Sequence, residues 1–334
     1  MGGKHIIFLQ AAHTDVDERV RYHQARTLEE SGHTIEICGM DSFCAFVPKP
    51  ADIYIIDTPK ALWKVRHTSA KIIYDITEWY PSKKNLQNIR FGKLVKASIL
   101  LLANFWAGCR ADAFIFGEVD KANPFRALFP RKKSIHLPYY PDLKYITKKT
   151  SQVISQSCKL LYAGPLTKEK GWYCVLKTMR EVALQRKDIQ FQLDVITRDS
   201  MSLSVMPQNL VINFVEYMPF EQFCCRITDY NIFLDLRAND FENNRCMPIK
   251  LFYYAACGRP SIYTRLQAIS KGFTEIDKCA TLVNSHQEAI NAIVRYIDDS
   301  KWYIGHCRNA ARLAKSKYNW NKIKNSFLCL VDEL

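Results

Sequence analysis

Two stretches of the chain combine glycine, proline and cations at spacings that suit the binding of an anion. The first runs Tyr162-Ala163-Gly164-Pro165-Leu166-Thr167-Lys168-Glu169-Lys170-Gly171. It leaves an apolar strand-like segment and enters a helical one, so it offers free backbone N–H groups and the Lys170 ammonium at a helix N-terminus, where negative charge is stabilised. An exposed helix-start loop shares these features, so this stretch alone discriminates weakly. The second, from Asp235 to Pro260, is denser. Pro248 suits the first turn of a helix, Gly258 its left-handed exit, and Pro260 the entry to the strand beyond. That helix aims its N-terminus at the carboxyl end of the preceding strand, where open α/β sheets bind ligands, with Glu242, Arg245 and Lys250 clustered around it. Helix capping explains one such residue more readily than three. Lys170, Arg245 and the helix N-terminus at Pro248 are the preorganised positive groups that would stabilise a departing diphosphate.

These residues need a scaffold that alternates strands and helices, and the chain reads that way throughout. In the first half His5 to Leu9, Thr34 to Cys38, Ile53 to Ile56, Lys71 to Tyr74, Asp112 to Phe116 and Lys133 to Leu137 are short apolar strand runs. An amphipathic helix is expected from Glu18 to Ser31, ended by Gly32. After a Pro-bearing segment, Leu137 to Asp142, and a polar run to Ser157, the series resumes. Strands are expected at Lys159 to Tyr162, Phe191 to Ile196, Val211 to Phe214, Ile232 to Leu236 and Ser261 to Tyr263, with helices at Trp172 to Gln185, Phe220 to Thr228 and Ile249 to Ala256. Alternation of this kind predicts doubly wound parallel sheets. At 334 residues the chain suits two domains, 1–145 and 146–310, with a closing helical segment 311–334.

Charge is unevenly placed. Of the net charge of +14, most comes from Lys60 to Thr150, which holds 18 Lys or Arg against 6 Asp or Glu. Such a surface attracts nucleic acid, anionic lipid or a phosphorylated acceptor. The aromatic residues nearby form no repeating stacking platform, which argues against nucleic acid. Within the basic region, Lys93 to Ala107 is apolar for less than the ~20 residues of a spanning helix. Flanked by Lys93, Lys96 and Arg110, it suits either a membrane interface or core packing. The 12 cysteines offer no two-residue-spaced metal hook, and no apolar leader follows Met1. A reducing cytosol with free, mostly buried thiols is therefore expected, and no metal or cofactor site.

At these residues the chain resembles the retaining glycosyltransferases of the GT-B fold, in particular the large fourth family that builds bacterial surface polysaccharides. Pro248-Ile249-Lys250-Leu251-Phe252 followed by Ala256-Cys257-Gly258-Arg259-Pro260 is similar to that family's donor-site helix, and Leu161-Tyr162-Ala163-Gly164 with Lys170-Gly171 to its phosphate loop. Val16-Asp17-Glu18-Arg19-Val20, Gly32-His33-Thr34-Ile35 and Tyr74-Asp75-Ile76-Thr77-Glu78-Trp79-Tyr80-Pro81 resemble its acceptor-domain marks, and Tyr318-Asn319-Trp320 its final helix, which crosses back to the first domain. The resemblance covers nearly the whole chain.

It implies two Rossmann-like domains facing each other across a cleft and a metal-independent, hexosyltransferase-type enzyme that transfers a sugar with retention, the leaving phosphate helping to deprotonate the acceptor. The partners it implies are a UDP- or GDP-linked nucleotide sugar and a glycan or lipid-diphosphate-linked acceptor in polysaccharide, capsule or lipopolysaccharide synthesis. The protein would be cytoplasmic, held peripherally on an anionic inner membrane face. Gly164, Lys170, Glu242, Arg245, Pro248, Ile249, Lys250 and Tyr253 fall on the donor side, and Asp17, Arg19 and Glu78 on the acceptor side, with Lys170, Glu78 and Arg245 as catalytic candidates. Two departures lie in the donor site: the family's paired glutamates fall at Arg245 and Tyr253, and the arginine preceding its phosphate-loop lysine falls at Pro165. A catalytically inactive GT-B homologue acting as a binding protein would also account for them. A sugar-nucleotide epimerase, which shares the architecture, would consume donor without an acceptor.

Overall fold

The computed structural model describes residues 2–11, 18–77, 81, 86, 91–147 and 153–334. Its backbone divides into one compact unit formed by Met1–Tyr139 with Trp320–Leu334 and a second formed by Tyr140–Asn319.

The first unit is a six-stranded parallel sheet: β1 (His5–Leu9), β2 (Thr34–Cys38), β3 (Ile53–Ile56), β4 (Lys71–Ile76), β5 (Ala113–Phe116) and β6 (Lys133–His136) in the order β2-β1-β3-β4-β5-β6. The central strands carry almost unbroken apolar runs because helices cover both faces. One face packs on α1 (Arg26–Glu30) and on the end of the chain, where Trp320, Phe327, Leu330 and Val331 meet Ile6, Phe8, Ile53 and Ile115. The last four belong to odd and even registers of different strands that share that side of the pleat. Trp320 donates its indole N–H to Thr27 Oγ1 at 2.8 Å. The other face packs on α2 (Pro59–Lys64), α3 (Lys93–Arg110) and α4 (Val119–Leu128).

The second unit repeats the plan with β7 (Ser157–Ala163), β8 (Gln190–Thr197), β9 (Leu210–Glu216), β10 (Ile232–Asp235), β11 (Ser261–Thr264) and β12 (Ala280–Val283), all parallel, in the order β12-β11-β10-β7-β8-β9. Its helices include α5 (Trp172–Gln185), α6 (Phe220–Arg226), α7 (Ile249–Ala256), α8 (His286–Asp298) and α9 (Ser300–Ser316), and the chain closes in the first unit with α10 (Lys324–Asp332). Chain order reverses between β7 and β10. At such a switch point the connections leave to opposite faces and open a crevice at the strands' carboxyl ends.

One expectation is refined and one corrected. The helix expected over Glu18 to Ser31 runs unbroken through Glu30, but Val20–Ala25 is wound as a π-helix ahead of the short α1. The wider turn brings residues five apart to one side, and both Arg19 and Gln24 reach Asp75 Oδ2, at 2.6 and 3.2 Å. The cysteines are not mostly buried. Six are buried, five are exposed and Cys174 is intermediate, because the exposed ones sit in loops or on outward helix faces such as that of Cys109.

Candidate functional site

The crevice between β7 and β10 gathers most of the donor-side residues. Beyond β7 the backbone turns through Gly164, and Tyr162 closes the loop from beneath, donating its hydroxyl to the Pro165 carbonyl at 2.6 Å and the Lys170 carbonyl at 3.2 Å. Asp199, just past β8, accepts the Leu166 N–H at 2.6 Å. On the other side, Ala238 N–H donates to the Glu169 carbonyl at 2.9 Å, and the Asn243 amide donates to the Ala238 carbonyl at 3.0 Å. That backbone bond, with the Asn243 amide reaching the Glu169 carbonyl as well at 3.4 Å, holds the loop after β7 to the loop after β10.

Gly171 makes that approach possible. Its φ is +83°, and a β-carbon there would overlap the Leu236 carbonyl. Only glycine satisfies both the left-handed backbone and the contact. Gly171 is also the N-cap of α5, so the N-terminus of that helix opens beside the end of β10.

Charged side chains of both signs line the crevice. Lys250, in the first turn of α7, reaches across to β7 and donates to the Ala163 carbonyl at 2.6 Å. Burial, together with the neighbouring Arg237 and Lys170, outweighs the attraction of Asp235 and lowers its pKa to about 8. Arg237 is tied to Asp235 through Nε and Oδ1 at 2.8 Å and through Nη2 and Oδ2. Lys170 is paired with Glu169 at 3.1 Å. Arg245 stands in a 3-10 turn before α7, its guanidinium 3.7 Å above the Phe241 ring and donating to the Phe241 carbonyl at 3.1 Å. Pro248 is the N-cap of α7 and makes no side-chain cap, so the first N–H groups of that helix are not capped by its side chain.

The remaining residues divide. Glu242 precedes the turn of Arg245 and is half-buried, and Ile249 is exposed at the start of α7. Tyr253 lies one turn further along α7 and is buried, its ring edge-on to Phe220 at 5.8 Å, so its contact is with the core beneath α6. Arg19 is buried against Asp75 and stacks on Tyr139 at 4.7 Å. Asp17 and Glu78 lie outside the described residues.

Two features of this edge were not legible in the sequence. The Asp235 and Arg237 pair was legible only as an isolated acid. A pocket between the ends of β8 and β9 is lined by Thr197, Arg198, Asp199, Phe214, Glu216 and Tyr217, with Arg198 4.1 Å above the Tyr217 ring. The signal for it was position, since Arg198 and Tyr217 directly follow the carboxyl ends of β8 and β9. Among the described residues no three His, Cys, Asp or Glu side chains gather as a metal site.

No protein-family description and no curated sequence matches the chain. Solved structures do. Sucrose-phosphate synthase from Thermosynechococcus elongatus superposes with a TM-score of 0.70 at 13% identity, over 98% of both chains. The fold is GT-B. HepE of Anabaena, solved with UDP-glucose, gives 0.66 at 14% identity over 99% of this chain and all of that one. The pneumococcal O-GlcNAc transferase GtfA, solved with UDP and GlcNAc, gives 0.60 at 13% identity, over 84% of this chain and 56% of its own.

Proposed function

We propose that the protein is a glycosyltransferase whose second unit holds a nucleotide sugar at the crevice between β7 and β10. The observation that carries this reading is the convergence of Lys250, Lys170 and the N-terminus of α7 on one carboxyl edge, at a switch point of the sheet. Those groups suit a diphosphate, and the pocket of Arg198 and Tyr217 suits a flat base stacked beside it. A uridine nucleotide is the first choice, since HepE and GtfA were solved with UDP-glucose and with UDP and GlcNAc.

In the proposed reaction the bond between the sugar's anomeric carbon and the diphosphate oxygen breaks, and its electron pair leaves with the nucleoside diphosphate. The acceptor hydroxyl oxygen bonds to the same face of that carbon, and its proton passes to the departing phosphate oxygen. Lys250 and the α7 N-terminus offset the negative charge that develops there, which is the reason to propose a metal-independent transfer, while retention is proposed from the resemblance to the retaining family. The acceptor we propose is a glycan or a lipid-diphosphate-linked saccharide of a bacterial surface polymer, extended in the cytoplasm.

A second reading, a binding protein that keeps the fold without turnover, is favoured by Arg245 and Tyr253 where the resembling family has acids. Incubation with a panel of UDP- and GDP-sugars and saccharide acceptors, with release of free nucleoside diphosphate as readout, separates the two. Transfer predicts acceptor-dependent release from one donor, reduced about tenfold or more in Lys170→Ala by loss of one charge-assisted contact. Release that needs no acceptor would indicate a hydrolase, conversion of the donor to another nucleotide sugar without release an epimerase, and tight donor binding with the donor unchanged would establish the second reading.

A further inference from the structure

Helix α3 is packed the wrong way round for a helix of a soluble surface. Amphipathic helices turn large apolar side chains to the core and polar ones to water. In α3 the buried positions are Asn104, Ala107 and Gly108. Asn104 is needed there, since it accepts the Tyr74 hydroxyl at 2.8 Å, and Gly108 leaves room for the Phe129 ring. The large residues point outward: Leu94 is 84% exposed and Leu102 68%, with Val95, Ile99, Leu101 and Phe105 also open. Phe91, just before the helix, is 92% exposed, and Trp63 on the adjacent α2 is 57% exposed. Between Lys96 and Arg110 the sequence has no charged residue.

The ends of this surface are basic. Lys93 and Lys96 are exposed at the first turns of α3, and Arg110 closes its last turn, donating to the Arg66 carbonyl at 2.8 Å. Arg66 in turn stacks on the Trp63 ring at 4.3 Å. Lys132 donates to the carbonyls of Gly108, Cys109 and Ala111 at the same end.

We infer that the outward face of α3, with Trp63 beside it, is a docking surface for an anionic lipid bilayer. At 18 residues the helix is about 27 Å long and lies in the plane of the surface. No helix among the described residues is long and apolar enough to cross a membrane. Leu94, Leu102 and Phe105 enter the acyl boundary while the cations at both ends meet lipid phosphates, and Trp63 sits at headgroup depth. Charge chooses this occupant over a second copy of the chain. Pairing two such faces would bring two basic rims together, whereas an anionic bilayer complements both the rim and the apolar strip. The inference does not depend on the transferase reading, because it rests on the first unit alone.

Co-sedimentation of the full chain with vesicles of phosphatidylcholine, alone or mixed with phosphatidylglycerol, tests it, with light scattering on the free protein. The expected result is binding to the mixed vesicles and much weaker binding to the neutral ones. Leu94→Glu with Leu102→Glu should reduce binding at least about tenfold, with the thermal midpoint unchanged. Lys93→Gln with Lys96→Gln should reduce binding to mixed vesicles by roughly fivefold per cation. Equal affinity for both vesicles, or no effect of either pair of substitutions, would overturn the proposal. So would a dimer that Leu94→Glu with Leu102→Glu dissociates in a chain that binds no vesicle, which would assign the face to a second copy.

Discussion

Lys250 is the residue on which the site turns. Its ammonium is enclosed between the Ala163 carbonyl and two other cations, and burial is the main reason its pKa falls to about 8. Because the folded-state value lies below that of the unfolded chain, the charged form opposes folding, and the protein should gain stability as pH rises from about 8 towards the ordinary lysine range. A bound diphosphate reverses the balance by favouring the ammonium. Nucleotide binding should therefore take up a proton above pH 8 and little or none at pH 7, measurable by calorimetry in buffers of different ionisation enthalpy. Lys250→Met should raise the unliganded thermal midpoint at pH 7, by about 2–4 °C for each kcal/mol recovered, while lowering nucleotide affinity about tenfold or more. A lower midpoint with unchanged affinity would show that Lys250 is only a strut between α7 and β7. Lys250, Lys170 and Arg245 stand out in sequence as cations beside a proline-started helix. The setting of Tyr253 was not legible: the position is readable, but the side chain's turn toward Phe220 depends on packing from α6.

At the scale of elements, the site exists because two loops are held in backbone contact, and Gly171 permits that contact. Gly171→Ala should cost roughly 1–3 kcal/mol from the left-handed backbone alone, with more from the overlap with Leu236, and should abolish nucleotide binding by displacing the loop. Gly32 is the comparison. It too is left-handed, at φ +91°, but a β-carbon there meets nothing within 4 Å, so Gly32→Ala should show strain only and leave nucleotide binding intact. Denaturant unfolding with nucleotide titration on both variants checks this; equal effects would mean that strain, not the close approach, matters at Gly171. The strands and the helices Trp172–Gln185 and Ile249–Ala256 were readable from apolar runs, turns and caps. The π-turn at Val20–Ala25 was not, because it answers to Asp75 on a distant strand. Nor was the orientation of α3. A segment apolar on all sides has no periodicity to say which face is buried, so the sequence left core and interface open, and only packing shows the small residues inside.

For the whole molecule, two parallel sheets with separate cores make up the chain, and the last helix finishes the first unit by packing against β6 and α1. Fold class was accessible from the alternation of strands and helices, and solved GT-B structures at 13–14% identity reproduce it over nearly the full length. The proposed function rests on the loops at the second sheet's carboxyl edge, since a fold of this kind hosts its chemistry in grafted site residues. Calorimetric titration of the full chain with UDP, GDP and their sugar derivatives at pH 7, with Lys250→Ala alongside, tests the central claim most directly. One saturable site for one nucleotide class is expected, weakened about tenfold or more in the variant. Absence of binding by every nucleotide, or binding indifferent to Lys250, would contradict it.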